Sequence, residues 1–424
     1  MRGSLLFRAS ALMFRVGLAL DIFEAVRPFG ILFADYFFFA SLVFLLCSSE
    51  RRRMTSWGSG VLLAGGLILG GVLVSGVTTG PALRVIILFG AFAPLALAHS
   101  RDLWRNLRYL VAGITVNCAI AIVAAWIWPG IVEALWIDSR IPDFGEESGR
   151  FAGLSGHPNS LGISAALAVL VAVGLLRHDS TKRLRIGTYL QILICTVGAV
   201  LSSSRTFFVA LAPALLILIL WQTLNLKRMV RLSFKLAFLA SILWLFANYL
   251  FPLLSGSYLQ RLGETDESYV ANRDRLVTGV LAVAQISQRP MTGWGMEHFG
   301  EAGMIFIPEE GGLLPAHVVI LHYWFAEGIL GGLGIALLFV LPVVKMVRAL
   351  RDSRAKHLSD ALRLGVCVYV SLFISSNLHP VLLNRFLFMP LFLFAGILTL
   401  RPRRPPKSSA PGMPPAWGME AART

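Results

Sequence analysis

Ile186-Gly-Thr-Tyr-Leu190 … Leu201-Ser-Ser-Ser-Arg205-Thr-Phe-Phe208 … Leu220-Trp221 carries one charge, Arg205, between Arg185 and Lys227. A membrane helix needs ~20 residues, so the stretch is long enough for two spans with Ser202-Ser203-Ser204-Arg205 at the hairpin tip. A charge in or near hydrocarbon costs at least ~2.5 kcal/mol unless it reaches water, a partner or a ligand. Snorkelling to the interface is the plainer reading of Arg205. The side on which it falls carries few basic residues, and that points to function.

The rest of the chain has the same character. Of 424 residues, 56% are hydrophobic and only 14% are charged, the profile of a polytopic membrane protein. Apolar runs read against charge predict about twelve helices, near 10–27, 31–48, 58–77, 82–99, 109–128, 159–176, 186–202, 206–224, 236–253, 316–343, 361–378 and 382–400. The fold class expected is therefore an all-α polytopic membrane protein over 1–400, with both termini cytoplasmic. The expected first span lacks a small-residue cleavage site, so it reads as an uncleaved anchor. From Arg401-Pro-Arg-Arg-Pro-Pro onward, 401–424 is Pro-rich and basic and reads as a disordered tail.

The net charge of +15 does not read as a nucleic-acid footprint, because of where it falls. Basic clusters occupy alternate connections: Arg51–Arg53, Arg101/Arg105/Arg108, Arg177/Lys182/Arg183/Arg185, Lys227/Arg228/Arg231/Lys235 and Lys345/Arg348/Arg351/Arg354/Lys356. The connections between them are neutral or acidic. In 254–315, Arg261, Arg273, Arg275 and Arg289 face eight acids, at 264, 266, 267, 274, 297, 301, 309 and 310. This positive-inside pattern places the basic loops in the cytoplasm, against anionic lipid, and the loops 129–158 and 254–315 outside. Within the second, Arg275–Ser287 has the spacing of an amphipathic helix stopped by Arg289-Pro290. Cys47, Cys118, Cys195 and Cys367 fall within or at the end of apolar runs and read as buried thiols. No metal-ligand spacing stands out: His317 and His322 are five apart, where a zinc pair on one helix face needs four.

Four outward-facing elements carry candidate chemistry. They are Arg150-Phe-Ala-Gly153-Leu-Ser-Gly156-His157-Pro158-Asn159-Ser-Leu-Gly162; Ser202-Ser-Ser-Arg205-Thr; Arg273-Asp-Arg275 with Arg289-Pro290-Met-Thr-Gly293-Trp-Gly295; and Pro315-Ala-His317 followed by Glu327-Gly328-Ile-Leu-Gly331. In this order they resemble the O-antigen ligase and polymerase superfamily over about residues 150–335. Its members carry R-x-x-G-x-x-x-x-P-N-x-x-G, a Ser-rich arginine hairpin, an R … P-x-x-G-x-G loop and an H-N … G-x-x-G helix start. The chain departs from the pattern at Val318, where many members have Asn.

The resemblance implies transfer of a glycan from undecaprenyl pyrophosphate to an acceptor hydroxyl at the periplasmic face of the inner membrane. The acceptor is a lipid A core sugar in ligases and the growing polysaccharide in polymerases, and these residues do not separate the two. On the resemblance, Arg205 and Arg275 clamp the pyrophosphate, Arg150 and Asn159 help bind substrate, and His317 orients or deprotonates the acceptor hydroxyl. The chemistry is reasonable: a guanidinium fork matches paired phosphate oxygens, and an imidazole titrates near ~6.5. Arginines would then stand in for a divalent metal, and no cofactor is implied.

Plainer readings stand beside these. His317 suits an interfacial cap or packing position, and Arg275 suits an ion pair with Asp266, Glu267 or Asp274. Arg150 suits a loop-positioning role, His157-Pro158-Asn159 suits a helix entry, and Gly293 and Gly295 suit turns. From other classes, a polysaccharide flippase or transporter predicts polar groups at mid-membrane depth on several helices. A non-catalytic envelope assembly protein predicts tolerance to loss of Arg205 and His317 together.

Overall fold

Helices fill the apolar runs among the described residues. A computed structural model describes residues 2–24, 26–28, 32–48, 60–76, 79–135, 150–179, 181–222, 279–295, 305–307, 312–314, 318–352, 358–378 and 387–399. In order these form α1 (Arg2–Leu20), α2 (Phe33–Leu46), α3 (Val61–Val74), α4 (Thr79–Val85), a π-helical segment (Ile86–Phe92), α5 (Ala93–His99) and α6 (Leu103–Trp126). Then follow the short α7 (Ile131–Leu135), α8 (Pro158–Leu175), α9 (Lys182–Leu201) and α10 (Arg205–Gln222). After them come α11 (Gly279–Gln288), an antiparallel ribbon of β1 (Ile305–Ile307) and β2 (Gly312–Leu314), α12 (Val319–Arg351), α13 (Ser359–Leu378) and α14 (Phe388–Ile397). The ribbon is the one departure from helix among these elements.

Among the described residues, five helical segments are long and apolar enough to cross a membrane: Ala82–Trp126, Pro158–Leu175, Lys182–Leu201, Val319–Arg351 and Ser359–Leu378. Shorter apolar helices accompany them, including Phe33–Leu46, Val61–Val74 and Phe388–Ile397. The chain is thus a helical, membrane-embedded protein. The expected span at 236–253, the tail at 401–424 and the basic clusters at 51–53 and 227–235 lie outside the described residues.

With lipid tails as apolar as leucine, helices associate through close packing and shared polar groups. The close approaches here fall at glycines. A methyl on Gly113 of α6 would overlap the carbonyl of Ala19 in α1, and one on Gly334 of α12 would reach Ile68 and the Ala64 carbonyl of α3. The π-helical segment ends at Phe92, two residues before Pro94, whose missing N–H forbids the regular bond to the turn before it.

Two polar clusters tie the helices. Ser10 of α1 bonds Ser41 of α2 and the imidazole of His99, which lies between Phe7 and Phe14 at centroid distances of 5.2 and 4.9 Å. One turn on, the buried Arg15 donates to Asn106 at 3.1 Å and to Asp102 at 2.7 Å. The second cluster lies where α6 and α9 begin and α8 ends. There the buried Asp179 accepts from Arg108 and from Thr188, and its carbonyl accepts from Arg185. His178 stacks on Trp104 at 3.7 Å, and burial lowers its pKa from the ordinary value. This end gathers the basic residues that the loop pattern singles out.

Candidate functional site

At the other end of α8 the first two sequence elements meet. His157 is extended (φ −152°, ψ 136°), and its Nδ1 accepts from the backbone N–H of Asn159 at 3.0 Å. Pro158 follows as the first helical residue, where its missing N–H costs nothing. Burial, and secondarily the Arg150 guanidinium, lower the His157 pKa to about 4. The ring is therefore neutral near pH 7 and keeps the lone pair that caps the helix.

Arg150 binds both elements together. Its guanidinium donates to Asn159 Oδ1 at 2.8 Å and to the carbonyl of Ser202 at 3.3 Å, while Phe151 N donates to the Leu201 carbonyl at 3.2 Å. Behind this junction Asn117 of α6 accepts from the Leu154 N–H at 2.7 Å, filling the space a side chain at Gly153 would need. The segment after α1 reaches the same place: a methyl on Gly156 would lie 3.6 Å from the Glu24 carboxylate.

The serine-rich tip is a tight reversal. Ser203 takes φ 50°, a left-handed value uncommon outside glycine, and Ser204 N donates to Ser202 Oγ at 3.3 Å. Arg205 then opens α10. A side chain at Gly162, one turn into α8, would overlap Ser204. The first turns of α8 and α10 thus lie side by side, with the N–H groups and positive dipole ends of both helices at one locus. The described geometry brings together Arg150, Asn159, His157, the serine tip and the backbone of Arg205.

The third and fourth elements meet each other in the same way. α12 breaks at Gly328 (φ 67°, ψ −167°). The segment Pro290–Gly295 fills the break. Trp294 N donates to the Phe325 carbonyl at 2.8 Å, Gly295 N to the Ala326 carbonyl at 2.7 Å, and Ile329 N to the Pro290 carbonyl at 2.9 Å. Trp324 Nε1 also donates to the Pro290 carbonyl, and the Arg289 guanidinium lies 4.3 Å from the Trp294 ring centroid. Gly293 (φ 70°) and Gly295 (φ 88°) serve this turn and its approach to α12. Val318, the departure from the family pattern, is the residue before α12; it is extended (φ −81°, ψ 111°) and makes no side-chain cap.

Arg275 and His317 lie outside the described residues. Glu327, which the sequence offered only as part of a glycine spacing, is fully buried, and neither of its oxygens has a hydrogen-bond partner among the described residues. Arg15 likewise shows no partner along the sequence, since Asn106 and Asp102 meet it only in the fold. Among the described residues no three His, Cys, Asp or Glu side chains group as metal ligands. Cys118, Cys195 and Cys367 are buried, whereas Cys47 is exposed. No family model matches the chain, and no curated protein matches it.

Proposed function

We propose that this protein is an inner-membrane glycosyltransferase of the O-antigen ligase and polymerase type. It moves a glycan from undecaprenyl pyrophosphate to an acceptor hydroxyl at the periplasmic face. The observation that supports this most is the junction of Arg150, Asn159 and the serine tip, where α8 and α10 both begin and Arg205 is the first residue of α10. Two helix N-termini and an arginine at one membrane edge suit a pyrophosphate group.

In the reaction the bond from the sugar's anomeric carbon to the phosphate oxygen breaks, and the electron pair leaves with the pyrophosphate. Arg205 and Arg275 hold the charge that develops there, in surroundings of low dielectric where such pairing counts for more than in water. The acceptor oxygen bonds the anomeric carbon and its proton passes to His317. Arg150 keeps the serine tip against α8, and the neutral His157 fixes the helix start. The donor is the lipid-linked glycan; the acceptor is a lipid A core sugar or a growing polysaccharide.

This reading requires the junction and the 254–315 loop to face outward. Reporters fused after residues 135 and 285 should signal periplasm, and reporters after 180, 230 and 355 should signal cytoplasm. A cytoplasmic 254–315 loop would remove the mechanism, because the donor glycan is presented outside.

One observation favours a second reading. A broken membrane helix with a buried carboxyl beside the break, as at Glu327-Gly328, is a device of secondary transporters. A transporter of lipid-linked glycan would move the donor across vesicles without forming a new glycosidic bond. A transferase forms the bond and leaves the lipid pyrophosphate behind.

A further inference from the structure

The break in α12 contains an acid to which the described residues offer no hydrogen-bond partner. Glu327 precedes Gly328 and is 0% exposed. Its main chain presses on α3, where a methyl on Gly71 would lie 2.5 Å from the Glu327 carbonyl oxygen. Its side chain lies over Gly331, where a methyl would come within 2.7 Å of Oε2. The location is near the C-terminal end of α3, the outer end on the topology proposed above: Gly71 is three residues from Val74, a rise of roughly 4.5 Å. A carboxylate at such a place is expensive unless it is paired.

No described cation pairs with it. α3 (Val61–Val74) brings no titratable residue. From the Pro290–Gly295 segment the neighbouring charge is Arg289, exposed and lying on Trp294. On its own helix the titratable neighbours are His322 and Tyr323, whose rings contact each other at 5.7 Å. From α13, Asp360 faces Arg177 at the opposite end of the bundle, Arg363 lies one turn from it, Tyr369 donates to the Leu391 carbonyl and packs on Phe339, and Cys367 is a buried thiol.

A metal cation is a poor fit too. Sodium or calcium in a broken helix is held by several oxygens, chiefly the carbonyls that the break sets free. Here the carbonyls of Phe325 and Ala326 are already bonded to Trp294 and Gly295. A proton needs one oxygen.

We propose that Glu327 is a proton-binding site that latches the Pro290–Gly295 segment into α12. With the proton bound, the carboxyl is neutral and rests in the break, and the three backbone bonds to Phe325, Ala326 and Ile329 hold. On release the carboxyl O–H bond breaks, its electron pair stays on the oxygen, and the proton passes to water at the outer end. The bare carboxylate then has no partner among the described residues at the break, so α12 and α3 part at Gly71 and the segment comes free. The latch joins the outer loop to the helix that follows His317, whichever reaction the site performs.

The test is hydrogen exchange on the full chain in lipid nanodiscs, read at the amides of Trp294, Gly295 and Ile329 from mildly acidic to alkaline pH. Protection factors are compared, so that base-catalysed intrinsic exchange is divided out. In the wild type, protection should fall about tenfold per pH unit once the proton is released. In Glu327→Gln, and in the apolar variant Glu327→Met of similar volume, protection should stay level over the same range. A slope shared by wild type and both variants would overturn the proposal, as would a level profile in the wild type or a slope removed by His322→Asn instead. Recovery of alkaline protection by sodium, but not by a bulky organic cation, would assign the site to a metal ion and overturn it as well. None of these outcomes depends on glycan transfer.

Discussion

Replacing Arg205 by lysine should remove most transfer activity, by about a hundredfold, although the charge is kept. The expectation rests on geometry: a guanidinium meets two phosphate oxygens at once, and an ammonium is a point charge on a flexible stem. Losing one preorganised donor to a developing anion typically costs on the order of 10²–10³ in rate. Arg205→Ala should be worse. Arg275→Lys should behave like Arg205→Lys, and the double variant should fall far short of the product of the two losses, since the pair acts as one unit. His317→Ala should keep donor binding and lose transfer. Donor binding and product formation at matched protein levels separate these cases. Near-normal transfer by both lysine variants would reduce the arginines to general electrostatics. Near-normal transfer by His317→Ala would remove that residue from the active site.

Gly328→Ala should be the most damaging single methyl in the described chain. At φ 67° and ψ −167° the residue occupies a region that is essentially reserved for glycine. The added carbon would also overlap the Met291 carbonyl, part of the segment that fills the break. Backbone strain of about 1–3 kcal/mol combines with the loss of bonds that fix Trp294, Gly295 and Ile329. The variant should show a clearly lowered melting temperature in detergent and lose activity with it. Gly66→Ala, where an added methyl meets nothing within 4 Å, is the control. Equal melting temperatures for the two would mean that the break relaxes at little cost.

Much of the helical layout is legible in the chain, since a lipid-facing helix must be apolar for about 20 residues. Among the described residues five helical segments are long and apolar enough to cross a membrane, and the remaining expected spans, 236–253 excepted, overlap other described helices. The boundaries are less legible, for identifiable reasons. A first span placed at 10–27 becomes Arg2–Leu20, a helix that takes in Arg2 and Arg8 at its start and ends before Asp21 and Glu24. The span placed at 316–343 becomes Val319–Arg351, because Lys345, Arg348 and Arg351 continue the helix and suit its C-terminal end. Hydropathy does not register the break at Gly328, since glycine among leucines changes the mean little.

The candidate site divides in a similar way. The motifs at 150–162 and 202–205 are local in sequence, and Arg150 is what joins them in space. The reading of His157-Pro158-Asn159 as a helix entry agrees with the cap that His157 makes. The pairing of Pro290–Gly295 with α12 required the fold, as did the isolation of Glu327. A carboxyl in an apolar run looks the same on paper whether it faces an arginine or nothing.

Formation of a new glycosidic bond is the decisive property. Purified full-length protein in vesicles should convert undecaprenyl-pyrophosphate-linked glycan and a hydroxyl acceptor into glycosylated acceptor plus lipid pyrophosphate, undiminished by excess chelator. The product is read by mass. Activity abolished by chelation and restored by one divalent ion would contradict the arginine clamp. Movement of the donor across the vesicle with its lipid linkage intact would contradict transfer altogether.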